Sequence, residues 1–338
     1  MHERGPSLAG TALIAGGAGF IGSHLCEALL RHGGTVICVD RFLTSTMTHI
    51  EHLIGHPRFR IEVHDVCHPL EQAPDWAGRL DRIYNLACPA SPRYSQSDPV
   101  HTLMSSVLGT HNLLDLARTA GARYLQASTG DISGAGRDAF RPADPRACFE
   151  EGQRAAETLC CDARRQYGID ARIARIFNVY GPRMPLNDGR VVNDLIADAL
   201  AGRDLVLPAI PGQTLSVCHV ADLVRGLLLL MECPAAPDDP IELGSPDPIS
   251  LHGLAREVRR LTGAVAEIAP TPALSQPGPS IPDLALARKL FDWSPTVPLT
   301  EGLKETVDYL ASHINVVAHP RQAAALYRKQ SQTRAPSS

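Results

Sequence analysis

The chain has 338 residues, 44% hydrophobic and 20% charged, proportions that exclude a disordered, collagen-like or fibrous protein. Its 32 Lys+Arg against 36 Asp+Glu leave a formal charge of -4, which offers nothing to nucleic acid or to an anionic membrane, so a small-molecule partner is expected. The length suits one large α/β domain or two lobes sharing a core.

The N-terminus carries no basic region followed by a uniform apolar stretch, and the longest apolar run, Leu227–Met231, is too short to cross a bilayer. Nine cysteines are an odd number, single except for Cys160 and Cys161, and no C-x-x-C occurs. Neither a disulfide framework nor a zinc knuckle is indicated, and a cytoplasmic protein with reduced thiols and no metal is expected.

Short apolar runs, several rich in Val and Ile, recur at Thr11–Ala15, Thr35–Val39, Phe59–Val63, Arg82–Leu86, Tyr124–Ala127 and Ala171–Ile176. Continuous apolarity marks strands covered on both faces, and helix-length spacers between them mark right-handed crossovers. The pattern predicts an α/β fold, a Rossmann-type doubly wound parallel sheet, over residues 1–180. Pro99 opens and Gly121 closes one long helix, and a second runs over Cys148–Tyr167 to Gly168. Beyond Ile176, prolines at 182, 185, 208, 211, 234, 237 and 240 cut the chain into shorter elements. Residues 181–317 are therefore expected to form mainly a smaller C-terminal substrate-binding lobe, with segments returning to the Rossmann core. Within it Val220–Met231 reads as a helix with Asp222 in its first turn, Ile241–Leu243 as a strand, and Pro270–Pro282, with five prolines, as a loop. Residues 318–338 are expected to be a loosely ordered tail.

The strongest chemical signal is Gly16-Gly17-Ala18-Gly19-Phe20-Ile21-Gly22, after the first strand and opening the first helix, with Asp40 ending the second strand. Glycines at 16, 19 and 22 permit a tight turn, approach of a pyrophosphate to bare backbone, and close helix-to-strand packing. The helix N-terminus supplies oriented N–H groups. Asp40 can accept hydrogen bonds from the adenosine ribose and repel a 2′-phosphate, which favours NAD over NADP. Arg41 beside it can stack on adenine or meet a 2′-phosphate. Asp65, in His64-Asp65-Val66 at the end of the third strand, reads either as a partner for the adenine amino group or as a turn residue.

The glycine loop, Leu86-Ala87-Cys88-Pro89-Ala90-Ser91-Pro92, Ala127-Ser128-Thr129, the string from Ala174 through Asn178 to Met184, and Asn187-Asp188-Gly189-Arg190-Val191-Val192 together resemble the extended short-chain dehydrogenase/reductase (NAD-dependent epimerase/dehydratase) superfamily, in its UDP-glucuronate decarboxylase branch. The resemblance spans about residues 11 to 310. It implies bound NAD, transient oxidation of a sugar hydroxyl, loss of carbon dioxide and return of the hydride. It also implies coenzyme contacts at Gly16, Gly19, Phe20, Ile21, Gly22, Asp40, Arg41, Asp65, Val66, Leu86, Ala87, Thr102, Gln153 and Arg190, substrate contacts at Ser128, Asn178, Arg183 and Val191, and a homodimer.

Family members use a tyrosine base and a lysine four residues later on the same helix face. Here the matching segment is Cys148-Phe149-Glu150-Glu151-Gly152-Gln153-Arg154, so Phe149 replaces the tyrosine and Gln153 the lysine. A phenyl ring has no ionisable proton and an amide no charge to stabilise a phenolate. Other matched positions also differ: Gly130-Asp131 for Ser-Glu, Leu215 for an arginine, Ile281 or Ser280 for another, Pro208-Ala209 for Tyr-Gly, and His101-Thr102 for Lys-Thr.

Thr129 can donate to a substrate oxygen, and Asp131 is the preferred substitute acid/base. His101 and His219 titrate near neutrality but read as structural or solvated. His49, His52 and His56 have the spacing of one helical face; similar strings in the resembled family bind no metal. Cys148 and Cys218 read as apolar fillers. The sequence thus supports an NAD-binding enzyme repurposed for a sugar-nucleotide or nucleoside-like substrate, by decarboxylation, epimerisation or elimination. The alternative is a catalytically silent NAD-binding partner of an active homologue.

Overall fold

The computed structural model describes residues 8–70, 76–133, 143–186, 189–208, 213–271 and 281–317. In the first half, β1 (Thr11–Ala15), α1 (Phe20–Arg31), β2 (Thr35–Asp40), β3 (Phe59–Val63) and β4 (Arg82–Asn85) are followed by a single-turn α2 (Pro92–Ser95). Then come α3 (Pro99–Ala120), β5 (Arg123–Thr129), α4 (Ala147–Tyr167) and β6 (Ala171–Ile176). The second half contains β7 (Val179–Tyr180), α5 (Val191–Leu200), β8 (Leu205–Pro208), β9 (Thr214–Ser216), β10 (Cys218–His219) and α6 (Val220–Glu232). It continues with β11 (Ile241–Leu243), β12 (Pro248–Ser250), α7 (Leu251–Thr262), β13 (Ile268–Thr271), α8 (Ala285–Phe291) and α9 (Leu299–Val317).

Seven strands form one sheet in the order β11-β6-β5-β4-β1-β2-β3, every pairing parallel. The residues of β4 are all buried, as are all but the first of β1 and β2, as befits strands covered on both faces. β3, at the edge, is more exposed. The winding reverses between β1 and β4, and open α/β sheets bind ligands in the crevice beyond that switch point.

The long helices end as their sequences dictate. Asp98 caps α3 by accepting the His101 N–H at 3.1 Å, with Pro99 at the first helical position, and Gly121 closes it at φ 65. Gly168 closes α4 at φ 68. α3 and α4 pack side by side; a Cβ at Gly152 would lie 2.9 Å from Ser106.

One buried cluster lies between the sheet and α3/α4, with Leu13, Ile83, Tyr124 and Ile173. The other runs from α1 and α6 into the second lobe, where Trp293 is fully buried and its indole N–H donates to the Asp222 carbonyl at 3.0 Å. The Asp222 carboxylate accepts from the N–H groups of Thr296 and Val297 at 2.9 and 2.8 Å and from the Thr296 hydroxyl at 2.9 Å. It therefore ties α6 to the link between α8 and α9.

Two expectations need correction. The three histidines share no helical face: residues 47–49 and 51–53 form separate 3₁₀ turns split at the fully buried Ile50. His49 turns inward to the Ala18 carbonyl, His52 stands beside Glu27, and His56 accepts the Arg58 N–H. Pro270 is not in a loop but in β13, paired parallel with β8. Residues 272–280 and the tail from 318 lie outside the described residues. Among the described residues no helix is long and apolar enough to cross a membrane.

Candidate active site

A cavity of about 950 Å³ opens at the C-terminal ends of the strands and extends into the second lobe. Its inner end is the glycine loop. The Gly16 N–H donates to the Val39 carbonyl at 2.8 Å, and a Cβ there would sit 2.7 Å from the Leu86 carbonyl oxygen. A Cβ on Gly22 would collide with the Gly16 carbonyl oxygen. Gly19 is the N-cap of α1 and supplies no side-chain acceptor, so the first-turn N–H groups, on residues lining the cavity, remain for an anion.

Asp40 is buried at the end of β2 and accepts from Ala18 N at 3.0 Å, Phe42 N at 2.8 Å and Ser45 Oγ at 2.7 Å. Burial raises its pKa, against the opposing pull of these donors. Arg41 is held by Asp65 at 2.6 Å and also hydrogen-bonds the His101 imidazole. Asp65 accepts the Cys67 N–H at 3.0 Å; burial is outweighed by that bond and by Arg41, which keep its carboxyl below the usual range. Asp65 thus makes the turn, while it and Val66 both line the cavity. Among the described residues Asp65, Cys67 and His101 form a group of possible metal donors within 4.8 Å of one another, with the Arg41 guanidinium already on two of them.

Leu86, Ala87, His101, Gln153 and Arg190 line the same cavity. Thr102 does not: it is buried, and its hydroxyl donates to the backbone carbonyls of Asp98 at 2.9 Å and Ser95 at 3.2 Å. Gln153 is 2% exposed, and its Oε1 has no hydrogen-bond partner. One turn earlier on α4 stands Phe149, half-buried on the same cavity wall. The Cys88 thiol, pushed up to about 11 by burial and bonded to Ser106 at 3.2 Å and to Gln153, stays protonated. Cys148 lies against the carbonyls of Ser95 and Pro145, and Cys218 is buried off the cavity.

Across from Phe149, Thr129 Oγ1 accepts the Asp131 N–H at 3.0 Å, and Arg146 reaches Asp131 at 3.4 Å and Glu150 at 2.9 Å. Ser128 lines the cavity, but its hydroxyl donates to Glu157 at 2.6 Å, itself clamped by Arg175. A Cβ at Gly130 would meet the Phe177 ring at 2.7 Å. Asn178 and Val191 line the outer part.

Arg183 lies off the cavity: at φ 67 it turns its guanidinium to Glu27 at 2.7 Å. His219 is likewise off the cavity, 3.6 Å from Glu305. Sequence reasoning missed Tyr94 and Arg146 in the wall, although Tyr94 lies two residues past Pro92 and Arg146 one turn before Phe149.

The glycine cradle, the bare helix N-terminus, the strand-end carboxylate and the orphan Gln153 oxygen fit a dinucleotide carrying ribose hydroxyls. The sequence model of the NAD dependent epimerase/dehydratase family matches residues 12–244. UDP-glucuronic acid decarboxylase 1 of Xenopus tropicalis is 41% identical over 312 residues, 89% of this chain and 72% of that protein. UDP-glucuronic acid decarboxylase 3 of Arabidopsis thaliana is 41% identical over 317 residues, 90% of either chain. Among solved structures, an epimerase from Methanothermobacter thermautotrophicus superposes with a TM-score of 0.83 at 23% identity, covering 92% of this chain and 94% of that one. The Bacillus cereus UDP-glucuronic acid 4-epimerase in complex with UDP-glucuronic acid and NAD gives 0.78 at 25% identity, covering 89% and 99%.

Proposed function

The chain belongs to the NAD dependent epimerase/dehydratase family, and from that premise we propose that it binds NAD and acts on a sugar-derived or nucleoside-like substrate, with Thr129 and Asp131 managing the proton. The observation that carries this reading is the single cavity continuous from the glycine loop to Thr129, Asp131 and Phe149. The first-turn N–H groups of α1 would hold the coenzyme's phosphates, Asp40 would accept from its adenosine ribose, and the unpartnered Gln153 Oε1 would accept from a second ribose hydroxyl. When bound, NAD supplies a hydride acceptor that can later return the hydride.

Thr129 Oγ1, having accepted the Asp131 N–H, keeps its own O–H to donate to a substrate oxygen. Asp131 accepts the hydroxyl proton, with the Arg146 guanidinium 3.4 Å away to bear the change in charge. Phe149 packs against the reacting region without taking a proton. Decarboxylation, epimerisation or elimination would each require that proton loss together with transfer of the carbon-bound hydride to the acceptor that bound NAD would supply. Nine unpaired cysteines suit a reducing, cytoplasmic setting, and the exposed apolar residues of α3 suit a homodimer.

Purified protein is incubated with NAD and a panel of sugar nucleotides, glycosides and nucleosides, following carbon dioxide and reduced nicotinamide. Turnover is expected to fall about 10²- to 10⁴-fold in Asp131→Ala and Thr129→Val. A silent NAD-binding partner of an active homologue is the second reading, favoured by Phe149 and Gln153, which cannot ionise. Intact NAD binding with no turnover across the panel selects it.

A further inference from the structure

We infer that the turn after β3 and the start of α3 form a binding site for a thiophilic divalent cation, zinc or a chemical equivalent, held by Asp65, Cys67 and His101. The site goes beyond the proposed function and does not depend on it.

The fold assembles it, since donors at positions 65, 67 and 101 make no sequence motif. β3 ends at Val63 and the chain turns at once: the Asp65 carboxylate accepts the Cys67 N–H at 3.0 Å, and the His68 N–H donates to the Asp65 carbonyl at 3.0 Å. That turn sets carboxylate and thiol side by side. α3 brings His101 up to them in its first turn, where Asp98 accepts the His101 N–H. Turn and helix are locked together: Asn112 of α3 donates to the Val66 carbonyl at 2.8 Å, and a Cβ at Gly109 would lie 2.7 Å from the Val66 side chain. A carboxylate oxygen, a sulfur and an imidazole nitrogen, all on half-buried residues, therefore lie within 4.8 Å of one another, and no other such trio occurs among the described residues. The Ser105 hydroxyl, 3.0 Å from His101 Nε2 and 3.6 Å from Cys67 Sγ, shows these two donors facing one point. Tetrahedral zinc sets its ligands about 3.5 Å apart, so closing the trio takes side-chain shifts of about 1 Å.

The place between the donors already attracts positive charge. Arg41 Nη1 stands 2.6 Å from Asp65 Oδ2 and 2.5 Å from His101 Nε2, so one cationic nitrogen meets two of the three. It leaves the sulfur to Ser105. A divalent cation takes all three: the Cys67 thiol gives its proton to solvent, His101 offers a neutral ring nitrogen, and Arg41, whose side chain is 40% exposed, swings into water. Thiolate and carboxylate then balance the two charges of the metal. A sulfur, nitrogen and oxygen set with water as fourth ligand suits zinc, whereas magnesium and calcium take oxygen alone.

The test uses full-length coenzyme-free protein, kept reduced by a phosphine and titrated with Co²⁺, which reports a bound thiolate by near-ultraviolet charge-transfer absorption where zinc is silent. One equivalent is expected to produce the band and zinc to displace it. Cys67→Ser is expected to remove the band, His101→Asn to weaken binding about tenfold or more, and Arg41→Ala, lacking the competing cation, to tighten it about tenfold. Should Cys67→Ser fail to fold, the opposite signs of the other two variants carry the test. Absence of the band at a several-fold excess of cobalt overturns the inference. So does a band that persists in Cys67→Ser, or an affinity unmoved in both His101→Asn and Arg41→Ala, which would assign the metal to another of the nine cysteines. Mg²⁺ competing as well as zinc would overturn the choice of cation. None of these readings needs bound coenzyme or turnover, so failure of this site and failure of the proposed function are told apart directly.

Discussion

Beside the carboxylate that ends β2, Arg41 stands where a guanidinium meets a 2′-phosphate or an adenine ring, yet Asp65 holds it at 2.6 Å and His101 bonds the same nitrogen. Neutralised in this way, it adds little for a phosphorylated ribose. Asp65→Ala is expected to free it and to raise affinity for NADP relative to NAD about tenfold, measured calorimetrically. An unchanged ratio would assign the discrimination to Asp40 alone. His49 offers a second prediction: it is 3% exposed, and burial, with Arg183 nearby, pushes its pKa down to about 4. Between its ordinary value of 6.5 and about 4 the unfolded chain binds a proton that the folded chain refuses. Stability is therefore complete above that range and falls as pH drops through it, by up to about 3 kcal/mol for this group. His24, also pushed to about 4, and His52 and His219, lowered by burial, act in the same direction, so His49→Gln should reduce the slope of urea midpoint against pH without abolishing it. A slope left intact would place the effect elsewhere. The tight glycine turn and the placing of Asp40 at the end of β2 were legible because both follow from local backbone sequence. Thr102 and Arg183 were not, because motif spacing does not say which way a side chain turns, and theirs turn to backbone carbonyls and to Glu27.

The elements of the first half follow from apolar runs and helix ends that need no distant information, down to Pro99 and Gly121 at the two ends of α3. The histidine segment misleads because 3₁₀ turns do not keep the 3.6-residue period its spacing presumes. Asp222 shows a different limit. In sequence it is a first-turn acid of α6; in the fold it satisfies two backbone N–H groups 74 and 75 residues onward. Asp222→Ala leaves those donors without their acceptor at a packed junction, beneath the Trp293 indole. It is expected to cost about 3 kcal/mol in urea denaturation. A loss below about 0.5 kcal/mol, the ordinary range for surface positions, would refute the tie it makes between α6 and the link before α9.

Across the whole molecule, the exposed side chains of Val100, Met104 and Leu108 make a stripe four residues apart along α3, 68%, 39% and 40% exposed. On the proposed homodimer reading, Met104→Glu is expected to leave folding intact and to halve the mass in light scattering. An unchanged mass would remove α3 from the association surface. The sheet itself is completed from far along the chain, since β11 pairs with β6 only after α5, α6 and four short strands have intervened. Arg172 of β6, wholly buried, likewise relies on the carbonyls of Met231 and Cys233. On the ribosome this imposes a wait: roughly 70 residues separate the end of β6 from the end of β11, about 3–13 s of translation at 5–20 residues per second. Throughout that interval the nascent coenzyme lobe displays an open strand edge and a hydrated guanidinium, so chaperone demand should peak before residue 243 leaves the exit tunnel and subside afterwards.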